Sequence, residues 1–444
     1  MSTIPEIASA LQEVLTRTAY DLGRSTGFVQ RQLTLDGASF TQILVFSYMN
    51  NPDATLNELT QTAASIDISI SAAGLDQRFS PQAAELLRQV LAAALTRLLK
   101  DQSPWDVPVL SQFKQVFAED GTLITLPPEL AELWCGTNGS TGKPRAALKL
   151  MLRLDLLSGL IETLTLHPGR VHDSRAAAAS HTLPAGSLFL ADLGFFRLSR
   201  LAEIAEQQAF FLTRFKLHTT VWDEQGRRWD DIVALLEAQH TQQVDLPVAL
   251  GANREVAGRL VAVRLAQEVA DQRRRRLREQ ARRDQRAVSA AQLAACAWSI
   301  YFTNVPAERL SVEAIVVVAG VRWQIELVFK SWKSQGKIDQ SRSGKVWRVM
   351  CDVYAKLLAM VVCHWVSLTE IWGYPDRSLM KALRAIQKYA LDLIRDVYDW
   401  YHQGLCETLR RIARVLASSC RMDTRKTKPN TYQRLHELCE NPLP

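Results

Sequence analysis

Apolar residues recur at three- and four-residue intervals through residues 4–15, 40–48 and 81–99, the spacing that turns one helix face to a core. The first 104 residues are therefore predicted to be helical. Within them Thr55 stands as a cap ahead of an apolar pattern, and a Ser/Gly turn and a segment ending in Gln77-Arg78 follow. That order is compatible with a helix-turn-helix. The alternation of Ile66, Ile68 and Ile70 equally suits a short strand, and a small helical bundle would look the same. Asp101-Gln102-Ser103-Pro104 reads as a linker.

The texture then changes. Short β-prone runs at 113–118, 123–126, 147–154, 161–166 and 188–191 are separated by turn signals, with Ser158-Gly159 a hairpin turn between two of them. Helical periodicity at 198–208 follows, so this stretch begins an α/β domain. Runs at 209–215, 219–222, 244–248, 259–265 and 297–302 are again strand-like, interrupted by a cluster of arginines. Ser311, with Glu313 in the first turn, opens a long helical run whose middle Gly320 weakens. Residues 351–371 and 378–419 read as helices rich in Leu, Ile and aromatics, ahead of a basic tail at 421–428.

Composition narrows this little. The 444 residues are 47% apolar and 22% charged, which fits a globular chain of several domains. No run of 18 apolar residues is present and the first residues lack a signal-peptide pattern, so a cytoplasmic protein without a membrane span is expected. Seven cysteines without a C-x-x-C pair, and eight histidines without zinc spacing, point to free thiols. Charge is more telling. The net excess is +7, and nine arginines against four acids lie between Arg264 and Arg286. Arg273, Arg274, Arg275 and Arg276 are therefore candidate contacts to a DNA backbone, although a solvated helix face would show the same run.

The most informative stretch is near residue 320. On a helix, Arg322, Glu326, Lys330, Lys333 and Lys337 form one charged stripe, flanked by Trp323, Ile325, Leu327, Val328, Phe329 and Trp332 for burial. One carboxylate among four cations suits a divalent metal beside phosphate grips; spacing alone describes an ordinary surface ion pair equally well. Asp120, before Gly121, and Asp192, before Leu193-Gly194, each follow an apolar strand. Such residues commonly form turns or caps, yet ligands of α/β sheets also gather at strand ends. Two aspartates and a helical glutamate would supply the hard oxygen donors that Mg²⁺ requires for phosphoryl transfer. Gly136 to Lys143 imitates a phosphate loop but has the wrong glycine spacing, and Pro144 stands where Ser or Thr is required. His172-Asp173-Ser174 lacks a nucleophile elbow and reads as a loop cap.

Arg322, Glu326 and Lys333, set in Arg322-Trp323-Gln324-Ile325-Glu326 and Phe329-Lys330, resemble the Y-x2-R-x3-E-x6-K signature of bacterial insertion-sequence DDE transposases. Asp120-Gly121-Thr122 and Ala191-Asp192-Leu193-Gly194 resemble that family's two aspartate motifs. The likeness spans roughly residues 110–350. The signature tyrosine falls at position 319, where this chain has Ala319, which puts handling of the cleaved DNA end in question.

The resemblance implies an α/β, RNase H-like catalytic core, a mixed sheet flanked by helices, with a β-rich insertion and helical terminal regions. It implies a helical end-binding domain at 1–104, core segments at 105–208 and 307–365, an insertion at 209–306, and a dimerising helical region at 366–444. Asp120, Asp192 and Glu326 would be catalytic and hold Mg²⁺, or Mn²⁺ in its place. Arg322, Lys330 and Lys333 would contact DNA, and Trp298 would stack on a flipped base or else sit in the core. The expected activity is binding of terminal inverted repeats, cleavage through a hairpin, and joining to target double-stranded DNA by a homodimer at the nucleoid. A catalytically idle relative kept for DNA binding, and a structure-specific nuclease, are the alternatives.

Overall fold

The computed structural model describes residues 4–31, 35–97, 107–136, 145–176, 182–374, 376–423 and 433–434. The expected linker at 101–104, most of the loop from 136 to 144, and the tail beyond 423 apart from 433–434 lie outside them.

Ten strands form one sheet. They are β1 (Val116–Leu126), β2 (Ala146–Asp155), β3 (Ile161–Pro168), β4 (Leu188–Ala191), β5 (Phe210–Arg214), β6 (Val221–Asp223), β7 (Arg228–Trp229), β8 (Gln243–Leu250), β9 (Val256–Arg264) and β10 (Trp298–Thr303). Their order is β3-β2-β1-β4-β5-β10-β9-β8-β6-β7. β1, β4 and β5 run parallel, and the other neighbours are antiparallel. The chain thus has the expected α/β, RNase H-like architecture of a mixed sheet flanked by helices. Ser158-Gly159 does turn the β2–β3 hairpin, with Gly159 at φ +77°, a conformation that favours glycine.

Four details go beyond the sequence pattern. Gly121 does not end its strand: β1 continues to Leu126 in register with β2. A Cβ at Gly121 would stand 2.6 Å from the Met151 sulfur, so the glycine makes room for a cross-strand side chain rather than a turn. The β-rich region expected at 209–306 is continuous with the core sheet, because β5 pairs with β4 and β10 pairs with β5. The arginine cluster folds as a helix, Gln267–Arg283. The long run after Ser311 divides into two helices, Val312–Val321 and Trp323–Gly336. They meet at Arg322 and not at Gly320.

The helical body packs against one face of the sheet. Val346–Ser367 is long and apolar enough to cross a membrane by length and composition, yet that window lies wholly buried inside the fold. Around it lie N-terminal helices Gly37–Asn50 and Pro81–Thr96 together with the C-terminal helices Leu379–Gln387, Ala390–Tyr398 and His402–Ser419, all sharing one apolar core. Of the C-terminal helices expected to dimerise, Ala390–Tyr398 and His402–Ser419 pack against N-terminal helices, and Leu379–Gln387 packs against Trp323–Gly336 and Val346–Ser367. The second helix of the expected helix-turn-helix, Ala72–Asp76, is only five residues long, and its Asp76 pairs with Lys345 at 2.7 Å and Arg348 at 3.4 Å. It is too short to read a groove, and Ile66 and Ile68 are buried in loop rather than strand.

Candidate active site

The sheet register builds the site. Ala118, Leu190 and Leu212 stand side by side on β1, β4 and β5, buried against the helical body. Side chains two residues further along a strand share that face. Those positions are Asp120, Asp192 and Arg214, a polar row where three parallel strands end their mutual pairing. Ligands of α/β sheets bind at such carboxyl ends. Across the row lies the helix Trp323–Gly336, anchored by buried Ile325, Val328, Phe329 and Trp332. That anchoring presents Glu326 and Arg322 to the aspartates.

All three carboxylates converge on Arg322. Its Nη2 donates to Glu326 Oε1 at 2.5 Å and stands 3.9 Å from Asp192 Oδ1, while Nη1 lies 3.5 Å from Asp120 Oδ2. The arginine side chain is 15% exposed, and Nη1 has no hydrogen-bond partner. Asp120 is the most buried of the acids. Burial pushes its pKa above the ordinary carboxylate value, against the Gly121 N–H it accepts at 2.8 Å and the charge of Arg322; Glu326 and Asp192 push it further up. A cleft of 540 Å³ opens here, lined among others by Asp192, Arg214, Ala319, Arg322, Trp323 and Glu326.

Among the described residues no three acidic, histidine or cysteine groups stand close enough to share an ion. The reason is visible in the distances: the guanidinium occupies the point at which the carboxylates aim. The donor chemistry nevertheless fits a hard divalent cation, since three carboxylates surround one partly unpartnered positive charge. Arg322 would have to withdraw for such an ion to enter.

The other expected residues divide. Lys330 is exposed along the stripe, and Lys333 Nζ donates to Leu123 O at 2.9 Å, beside β1. Lys337 turns away to pair with Asp53 of the N-terminal body. Trp323, expected to bury its helix, is 54% exposed at the cleft mouth. Trp298 is 2% exposed; its Nε1 donates to Glu237 at 3.3 Å and Arg264 covers its ring, so it is a core residue here and not open to a base. Arg273 donates to Trp298 O at 3.0 Å and Ser299 Oγ at 3.1 Å, and Arg274 to Leu293 O at 3.1 Å and Asp271 at 2.7 Å. Those two anchor their helix, while Arg275 and Arg276 are exposed. Asp173 pairs with Lys149 and is not a nucleophile's partner. Sequence reasoning missed Arg214; the signal was present, a charged residue closing an apolar strand as Asp192 does.

Residues 111–362 match the family described as Transposase DDE domain. The chain is 25% identical over 438 residues to the transposase for insertion sequence element IS231F of Bacillus thuringiensis subsp. israelensis, covering 93% of this chain and 91% of that protein. It is 26% identical to the IS231C transposase of B. thuringiensis subsp. berliner, over 89% and 86% of the two chains. The IS1151 transposase of Clostridium perfringens is 23% identical over 79% and 77%.

Proposed function

The chain belongs to the DDE transposase family, and from that premise we propose that it is a DNA transposase whose reaction is carried by Asp120, Asp192 and Glu326. The observation that carries this reading is the convergence of three acids, 206 positions apart at the extremes, on a single guanidinium in a cleft at the strand ends. Three carboxylates without chemistry to perform would repel one another there at a cost in stability, which argues for selection on function.

A pair of Mg²⁺ ions, or Mn²⁺ in their place, held by the three carboxylates would activate the attacking oxygen and stabilise the departing one. The chain's own residues do the rest. Arg322, once withdrawn from the acids, contacts the phosphate beside the scissile bond, with Lys330 and Lys333 continuing the grip along the same helix face. Arg214 supplies a cation on the β5 side of the cleft. Trp323, exposed beside Glu326, offers an aromatic face to a base at the DNA end. Water attack frees a 3′-hydroxyl at the element's end, and that hydroxyl then attacks either the opposite strand, closing a hairpin, or target DNA. Two ends must be brought together, so a homodimer on DNA is the working species. Ala319, which lines the cleft where the signature has tyrosine, leaves one contact to the DNA end unmade.

The test is strand joining. Protein, a labelled duplex carrying the inverted repeat that brackets the gene, a target plasmid and Mg²⁺ should yield end-to-target joined products. Nicks without joined products would support a nuclease instead, and end binding without nicks an idle relative.

A further inference from the structure

The arginine helix Gln267–Arg283 is sorted by charge around its axis. Its buried side is Ala270, Leu277 and Ala281, with Leu277 only partly covered. At about 100° per residue, Arg273, Arg276, Gln280 and Arg283 fall on one edge, at spacings of three, four and three, with no acid among them. Glu268, Asp271 and Glu279 lie on the outer face and the opposite edge, with Arg275, Arg278 and Arg282. Asp284, the first acid past the helix, is engaged by Gln280 at 2.9 Å and by Arg286 at 3.4 Å. Arg276 and Arg283 are exposed and form no ion pair among the described residues.

Through Arg273 the acid-free edge is tied to the sheet face on which the catalytic cleft opens. Arg273 reaches down to Trp298 O and Ser299 Oγ of β10. Two residues along β10, Tyr301 is paired with Arg214 of β5, so Ser299, Tyr301 and Arg214 share one face of the sheet. Arg214 in turn lines the cleft with Asp192 and Glu326 and makes no ion pair among the described residues. Burial, and then the like charge of Arg214, hold the Arg273 pKa below its ordinary value. Two guanidiniums kept near each other without a carboxylate between them await an anion from outside the chain.

We propose that the Arg273–Arg276–Arg283 edge is a binding surface for the phosphate backbone of DNA running out of the catalytic cleft, reached by way of Arg214. Ten residues of helix rise about 15 Å, the length of roughly four phosphates of one strand. Of the four arginines expected from sequence to touch DNA, this keeps Arg273 and Arg276, adds Arg283, and gives Arg274 and Arg275 to packing and to the acid-bearing outer face. The proposal rests on the transposase reading for the presence of DNA in the cleft.

The experiment compares two charge-matched pairs in the full chain, Arg276→Gln with Arg283→Gln, and Arg278→Gln with Arg282→Gln. Affinity for a fluorescent 40-bp duplex of arbitrary sequence is read by anisotropy across a series of KCl concentrations, and melting temperatures confirm folding. The first pair should lower affinity at least tenfold and flatten the log–log salt slope by about 1.8, close to 0.9 for each lost phosphate contact. The second pair should leave the slope within about 0.3 of the parent. Equal effects of the two pairs, or an unchanged slope in the first, overturn the proposal. Glu326-dependent nicking by the parent is measured alongside. If the parent nicks while the pairs are indistinguishable, only the edge assignment falls; if the parent neither binds nor nicks, the transposase reading falls with it.

Discussion

Arg322→Met removes the cation that holds three carboxylates together without greatly changing side-chain length. The partners lie 2.5, 3.5 and 3.9 Å from the guanidinium. Unit charges about 4 Å apart attract by roughly 4 kcal/mol at an effective dielectric near 20. Asp192 and Glu326 are 38% and 37% exposed, so water screens much of that attraction. Desolvation of the guanidinium offsets more. The net loss should be about 2 kcal/mol, between the values for surface pairs and for breaking a buried pair. It should also depend on divalent ions, because the empty centre becomes open to them. In urea unfolding with EDTA the variant should therefore be less stable than the parent by about 2 kcal/mol. With MnCl₂ the difference should fall by at least half, and the variant should gain more from the ion than the parent does. An identical loss with and without Mn²⁺ would refute the idea that Arg322 stands where a cation belongs.

Other residues give sharp outcomes. Lys330→Ala, at an exposed position of the stripe, should weaken DNA binding and flatten the salt slope by about 0.9 with no change in melting temperature. Trp298→Ala should cost about 3–5 kcal/mol of stability, whereas Trp298→Phe should keep DNA-end affinity in a gel-shift titration; a specific loss of end affinity in a stably folded Trp298→Phe would restore the base-stacking role. Burial holds the Asp155 carboxyl above its ordinary value although it accepts from Leu157 N at 3.1 Å and Ser158 Oγ at 2.7 Å. The folded chain therefore keeps that proton to higher pH than the unfolded chain, so this group's contribution falls as pH rises from about 3.9 through the raised folded value. Asp155→Asn should remove that part of the slope in denaturation curves taken from pH 4 to pH 7.

Much of the site was legible in the sequence because strand ends and helix stripes are local patterns. Leu188–Ala191 followed by Asp192 gave both an element and its polar terminus. The buried Ile325, Val328, Phe329 and Trp332 fixed which side of their helix faces solvent, and so where Glu326 and Lys330 point. What failed depends on partners far along the chain. Gly121 looks like a turn until Met151 is seen to fill the space beside it. Trp298 and Trp323 each have apolar residues two positions to either side, and only the assembled sheet decides that one is covered by Arg264 and the other left at the cleft mouth. Apolar faces on the last helices signalled a partner; that the partner includes the N-terminal helices of the same chain is a tertiary fact. Arg214 became meaningful only when the register placed it in line with Asp120 and Asp192.

The central claim is that Glu326 completes a metal-dependent centre with Asp120 and Asp192, and Glu326→Gln tests it most directly. A labelled transposon-end duplex should be nicked by the parent in Mg²⁺ and left intact in EDTA. The variant should bind the duplex with unchanged affinity and produce no nick. Undiminished cleavage by Glu326→Gln would contradict the assignment of the triad.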